Sequence, residues 1–173
     1  MIVVFTDVSV FFDLYKLQIL PEFFELNWDI HTSDFVYNEI IHEDQLEVFS
    51  IFVKCQKLRV IRISSEETLL IEKMKLKRSN KSFPDRTVLW KAKQENCILL
   101  TCDKALREEA NHQKIEVHGS IWVVNQLIEN NKISIYKGIS LLEKLKNVNS
   151  RLPFSKIDRL INDLKQKTEA NGM

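Results

Sequence analysis

Four acidic residues, Asp7, Glu39, Asp85 and Asp103, stand where a chain could use carboxylates together. Asp7 ends the apolar run I-V-V-F-T, and Asp103 ends I-L-L-T-C. Glu39 follows the short apolar run D-F-V-Y, and Asp85 lies in F-P-D, where a proline suits the first turn of a helix. Carboxylates a few ångströms apart repel, so some hold protons at neutral pH unless a cation neutralises them. A cluster of oxygen ligands suits Mg²⁺ or Mn²⁺ better than zinc. Such an ion polarises a phosphoryl oxygen, generates hydroxide from bound water and steadies the leaving oxygen. Each acid also has a plainer role. Asp85 and Asp103 fit as helix-start acids, which the helix dipole favours, and Glu39 competes with Asp34, Glu43 and Asp44 as solvated surface. Asp7 is hardest to place on a surface, because it ends a strand expected to be buried.

The elements that must position these acids follow from periodicity. Ile2 to Phe5 reads as a strand, and Val8 to Leu20 as a helix stopped by Pro21. Asp34 to Tyr37 is expected as a second strand, with Glu39 opening the next helix. Leu58 to Ile63 is a third strand, and S-S-E-E at 64–67 supplies the capping-box pattern for the helix after it. Ile98 to Thr101 and Ile115 to Val117 complete five strands. Gly119-Ser120 opens another helix, and two amphipathic helices follow, around Ile139 to Leu145 and Ile157 to Leu164, the second capped by Ser155. Strands alternating with helices, without hairpin signals, imply a parallel α/β sheet covered on both faces.

In such sheets ligands collect beyond the carboxyl ends of the strands, at the switch in strand order. Asp7, Glu39 and Asp103 fall at that edge. The helix carrying Asp85 is taken to start at the opposite edge, so Asp85 joins them only if the chain from Lys77 to Pro84 climbs back across the top.

With 25 basic and 24 acidic residues, the chain has no global positive field, and polyanion binding must be local. Three cysteines without a C-x-x-C pair suggest neither a disulfide framework nor a zinc knuckle and point to a reducing cytoplasmic compartment. The apolar start carries Asp7 and Asp13 and no basic leader, which argues against a signal peptide or membrane span. A single domain over residues 1–166 is expected, with a frayed tail at 167–173.

The segments VVFTDVSVFF around Asp7, VYNEI around Glu39 and PDRTVLWKAKQENCILLTCDKALREEA around Asp85 and Asp103 resemble the PIN domain. This is the nuclease fold of many toxin–antitoxin toxins of the VapC type. The resemblance extends through V-H-G-S-I-W, where Gly119 matches a glycine that often opens the next helix, and covers residues 1 to 130 well. It implies a three-layer α/β/α sandwich with a central parallel five-stranded sheet. It also implies a Mg²⁺ or Mn²⁺ site formed by Asp7, Glu39, Asp85 and Asp103, and hydrolysis of RNA that leaves a 5′-phosphate. Asp7, Asp85 and Asp103 would bind the ion, Glu39 would be an outer ligand or the base orienting water, and the hydroxyls of Ser9 and Thr101 would hold carboxylates or waters. The residue after the first acid is Val8, where the family often has a hydroxyl. RNA is the expected substrate, held by a basic rim of Lys75, Lys77, Arg78, Lys81, Lys104 and Arg107, although a solvated charged face suits such residues equally. An antitoxin protein and a homodimer are the other partners considered. The competing expectation is a catalytically silent PIN-like module that binds RNA or protein.

Overall fold

The computed structural model describes residues 2–77 and 81–171. Five strands, β1 Ile2–Thr6, β2 Trp28–Ser33, β3 Leu58–Ile61, β4 Ile98–Leu100 and β5 Val117–His118, form one sheet in the order β3-β2-β1-β4-β5. Every pairing is parallel. β1 is central because the chain first builds outward through β2 and β3, then returns to add β4 and β5 on the other side. The switch in strand order therefore lies between β1 and β4.

Successive strand residues face opposite ways, and each face carries its own core. Val4, Ile30, Leu58 and Leu100 pack beneath helices α1 (Val8–Lys16), α2 (Leu20–Phe24), α4 (Glu43–Lys54), α8 (Ser120–Glu129), α9 (Ile135–Val148) and α10 (Phe154–Asn171). Their neighbours Phe5 and Leu99 pack the other way, against α3 (Asp34–Tyr37), α6 (Phe83–Gln94) and α7 (Lys104–His112). Helix α5 (Ser65–Glu72) starts at the expected capping box, with Ser64 and Glu67 bonded reciprocally. The arrangement is the three-layer α/β/α sandwich expected.

Several local expectations need correction. The second strand is Trp28–Ser33, and Asp34–Tyr37 is a short helix. Its start is fixed by the Ser33 hydroxyl, which accepts from the Val36 amide. Glu39 consequently sits in the turn after α3 and does not open a long helix. The first helix ends at Lys16, and Pro21 instead lies in the first turn of α2, where its missing N–H costs nothing. Ser155 lies inside α10, which begins at Phe154 after Pro153. Apart from these corrections, α10 runs to Asn171, and 165–170 hold mostly good helix formers.

Among the described residues, five helices end on a left-handed residue that is not glycine: Gln18, Gln56, Asn96, Lys114 and Asn131. In each, the next amide returns to a carbonyl five residues back, as in Ile19 N–H to Leu14 and Cys97 N–H to Ala92. This pattern satisfies helix-end carbonyls that would otherwise lack partners. With only three glycines in the chain, the usual signal for these stops is missing.

Candidate active site

Both acids that follow the central strands cap helices. Asp7 is the N-cap of α1, where its Oδ1 accepts from the amides of Ser9 and Val10 at 2.9 and 3.3 Å. Asp103 is the N-cap of α7, its Oδ1 accepting from the Leu106 amide at 2.6 Å. Capping and site formation are thus compatible, since both caps lie at the carboxyl edge beside the β1–β4 switch. The Asp7 amide itself donates to the Leu100 carbonyl across it.

Two hydroxyls lace this crevice together. Ser9 Oγ donates to Asp7 Oδ1 at 2.6 Å and accepts from the Cys102 amide at 2.9 Å. Thr101 Oγ1 donates to Asp7 Oδ2 and accepts from the Asp103 amide at 3.0 Å. Each therefore ties the β1–α1 junction to the β4–α7 junction. Both hydroxyls donate to the Asp7 carboxylate.

Asp85 reaches the same edge, contrary to the expectation that its helix starts on the far side. A helix that feeds a parallel strand runs antiparallel to it, so α6 starts at the carboxyl edge, not the opposite one. Its first turn is pinned there: Thr87 Oγ1 lies 2.6 Å from Ser33 Oγ at the end of β2, and Ser82 caps the helix by accepting from the Asp85 amide. Ser33 and Thr87 are positioning residues that sequence patterns do not single out, because their contact spans 54 positions.

The electrostatics show which acids face one another. Burial, the largest influence, pushes the Asp7 carboxyl up to about 6 against the downward pull of its bonds from Ser9, Thr101 and Val10, and repulsion from Asp85 adds to the rise. Burial also raises Glu39, followed by repulsion from Asp85 and then from Asp7. These three carboxylates share one field. Asp103 differs. Burial would lift it, but the bond from Lys81 together with the α7 amides brings it below the usual range. Lys81 Nζ lies 2.7 Å from Asp103 Oδ1, with the lysine side chain 5% exposed and the aspartate 40%.

The basic residues thus divide. Lys81 is buried against the fourth acid. The Arg107 guanidinium donates to the backbone carbonyls of Thr101 and Val117, holding the ends of β4 and β5. Lys104 remains exposed at the start of α7. Lys75 and Lys77 lie on the chain between α5 and α6, and Arg78 lies outside the described residues.

The donor set matches a hard divalent cation in kind: it is all oxygen, and Asp7 is a buried acid held by hydrogen bonds alone. It is not closed around a point. Among the described residues no group of three His, Cys, Asp or Glu side chains stands close enough to hold an ion. Burial pushes the Cys97 thiol up to about 11 and the Cys102 thiol up to about 12, so neither offers a thiolate at neutral pH.

A family model described as a PIN domain, DUF3368, matches residues 2–166. The chain belongs to the PIN-domain family. No curated protein sequence matches it. PIN domains are generally nucleases that typically use divalent metals, so the chain has a nuclease-type fold. Among the described residues no helix is long and apolar enough to cross a membrane.

A second buried polar group lies behind the acids. Asp13 on α1 accepts from Ser120 Oγ at 2.7 Å and from Asn149 Nδ2 at 3.2 and 3.1 Å. All three residues are buried. Ser120 Oγ also lies 3.1 Å from Cys102 Sγ. This set anchors the turn after α9 to α1, and nothing in the local sequence around Asp13 announces it.

Proposed function

We propose that this PIN domain is a metal-dependent endoribonuclease that hydrolyses RNA phosphodiester bonds with an activated water. The observation that carries the reading is the convergence of Asp7, Glu39 and Asp85 at the switch in strand order, where burial above all, with repulsion from Asp85 added, raises the Asp7 carboxyl to about 6 and leaves it in want of a cation. Asp7, Asp85 and Asp103 would hold Mg²⁺ or Mn²⁺. When bound, such an ion supplies positive charge for the phosphate oxygens and acidifies its water. The chain's own residues do the rest. Ser9 and Thr101 fix the Asp7 carboxylate in one orientation, and the two caps fix the Asp7 and Asp103 backbones. Glu39, raised by burial first and then by Asp85 and Asp7, stands beside these acids as the carboxylate to take a proton from the attacking water.

A type II toxin role, with an antitoxin protein as partner, rests on the VapC-like motifs. It is tested by asking whether a small adjacent reading frame encodes a protein that co-purifies with the chain and blocks cleavage.

The second reading, a catalytically silent PIN module, is favoured by one observation: Lys81 already satisfies Asp103. The deciding experiment is cleavage of total RNA with Mn²⁺ by the wild type and by Asp7→Asn. Cleavage by the wild type alone supports the nuclease; equal activity removes the mechanism. No activity in either, with no Mn²⁺-induced rise in melting temperature, supports the silent module.

A further inference from the structure

Beside the acids, on the far side of Asp103, lies a cavity of about 670 Å³ between the start of α7, the end of β5, α8 and the α9–α10 turn. No Asp or Glu lines it, although the chain as a whole is almost neutral. Its charged lining includes Lys104, Arg151 and Lys156, all exposed and none paired with a carboxylate among the described residues. Its aromatic lining is His118 and Trp122, stacked 4.1 Å apart with only 11° between planes, and Trp122 stacks in turn on Trp28 at 5.1 Å. The basic wall is held in place: Asn149, fixed by Asp13, accepts the Arg151 amide at 3.2 Å.

We infer that this cavity is a substrate subsite that seats one unpaired nucleobase of single-stranded RNA against the His118–Trp122 pair while Lys104, Arg151 and Lys156 hold the flanking phosphates. The inference rests on the RNA-cleaving reading above and adds where the strand lies. An acidic floor repels a polyanion in the absence of cations, so a strand reaching Asp103 needs positive charge immediately alongside. Lys104 is the next residue after Asp103, which puts this wall within one residue of the acids. Unpaired bases stack on aromatic faces whatever their sequence, whereas a duplex hides its bases. The pairing of rings with unneutralised cations therefore selects a single strand over a duplex. It also gives the helices after residue 130 a task in substrate binding, since Arg151 and Lys156 come from them.

The test is fluorescence anisotropy of a labelled single-stranded oligoribonucleotide with the full chain carrying Asp7→Asn, so that it binds without cleaving. Adding Arg151→Ala with Lys156→Ala should weaken binding about tenfold or more and flatten the log–log salt dependence by about 1.4, at about 0.7 for each phosphate no longer neutralised. Adding His118→Ala should weaken binding at least about fivefold with the salt slope unchanged, as expected when a stacking face is removed. Unchanged affinity in both variants overturns the subsite. So does equal competition by polyglutamate, which would show a site for acidic protein segments that reads charge alone. If the wild type cleaves, Asp7→Asn does not, and the pocket variants keep the wild-type KM, the subsite falls while the nuclease stands. If the wild type fails to cleave but the pocket variants bind more weakly, the nuclease falls while the subsite stands.

Discussion

Replacing Asp7 with asparagine should stabilise the metal-free protein at neutral pH while abolishing cleavage. The Asp7 carboxyl titrates at about 6 in the folded chain against 3.8 for an unperturbed one. The folded state therefore binds this proton more tightly than the unfolded state does. The associated stability is fully present below about pH 4 and is lost as pH rises through about 6. A shift of roughly two pH units corresponds to about 3 kcal/mol, which the ionised carboxylate costs the fold above pH 7. Asparagine imitates the neutral form and keeps the bonds from Ser9 and Val10. The Thr101 hydroxyl, which now donates to Asp7 and accepts from the Asp103 amide, would have to turn, at a cost of about 1 kcal/mol. The net gain at pH 7.5 is about 2 kcal/mol, or about 4–8 °C in Tm for a chain of this length. At pH 4.5 most of it should vanish. The assay is a pair of melts of wild type and variant in EDTA at each pH. A Tm difference that is equal at both pH values, or a variant less stable at pH 7.5, would refute the claim that a buried, uncompensated carboxylate lies at the switch point.

Other perturbations separate chemistry from architecture. Glu39→Gln should lower kcat for RNA cleavage by about 10²-fold or more, as expected for loss of a general base, and leave the far-ultraviolet circular dichroism unchanged; a near-wild-type rate would remove Glu39 from the mechanism. Lys81→Met keeps the buried stem but releases Asp103, so Mn²⁺ should bind several-fold more tightly by calorimetry, at a stability cost on the order of 1 kcal/mol. An unchanged Mn²⁺ affinity would mean that Asp103 takes no part in holding the ion. Gly119→Ala places a Cβ 2.7 Å from the Arg107 guanidinium and 2.9 Å from the Thr101 carbonyl. It should cost about 1–3 kcal/mol in urea unfolding, and an unchanged midpoint would show that the Arg107 clamp gives way freely.

The parallel sheet is legible in the sequence because β-branched runs alternate with helical spacing, and Asp7 and Asp103 are legible because each interrupts an apolar run. The second strand is not, since Trp28–Ser33 carries Asp29 and His31 within a buried ladder, while the more apolar D-F-V-Y that follows is a helix imposed by the Ser33 cap. Local pattern places Asp85 in a first turn, but its approach to Asp7 depends on the Ser33–Thr87 contact between distant segments. The Lys81–Asp103 pair is hidden for the same reason: a lysine in a basic run resembles solvated surface until a fold puts it against an acid.

The bonds from Ser120 and Asn149 to Asp13 have a consequence for synthesis. Asp13 is made early and Asn149 late, yet Asp13 is buried and meets its hydrogen-bond needs through both. An incomplete nascent chain that already carries all four acids still lacks the group that closes over α1 and sets the Arg151 wall. The bonds that order that face come only with the α9–α10 turn, so a growing polypeptide acquires its acids well before the face beside them is complete.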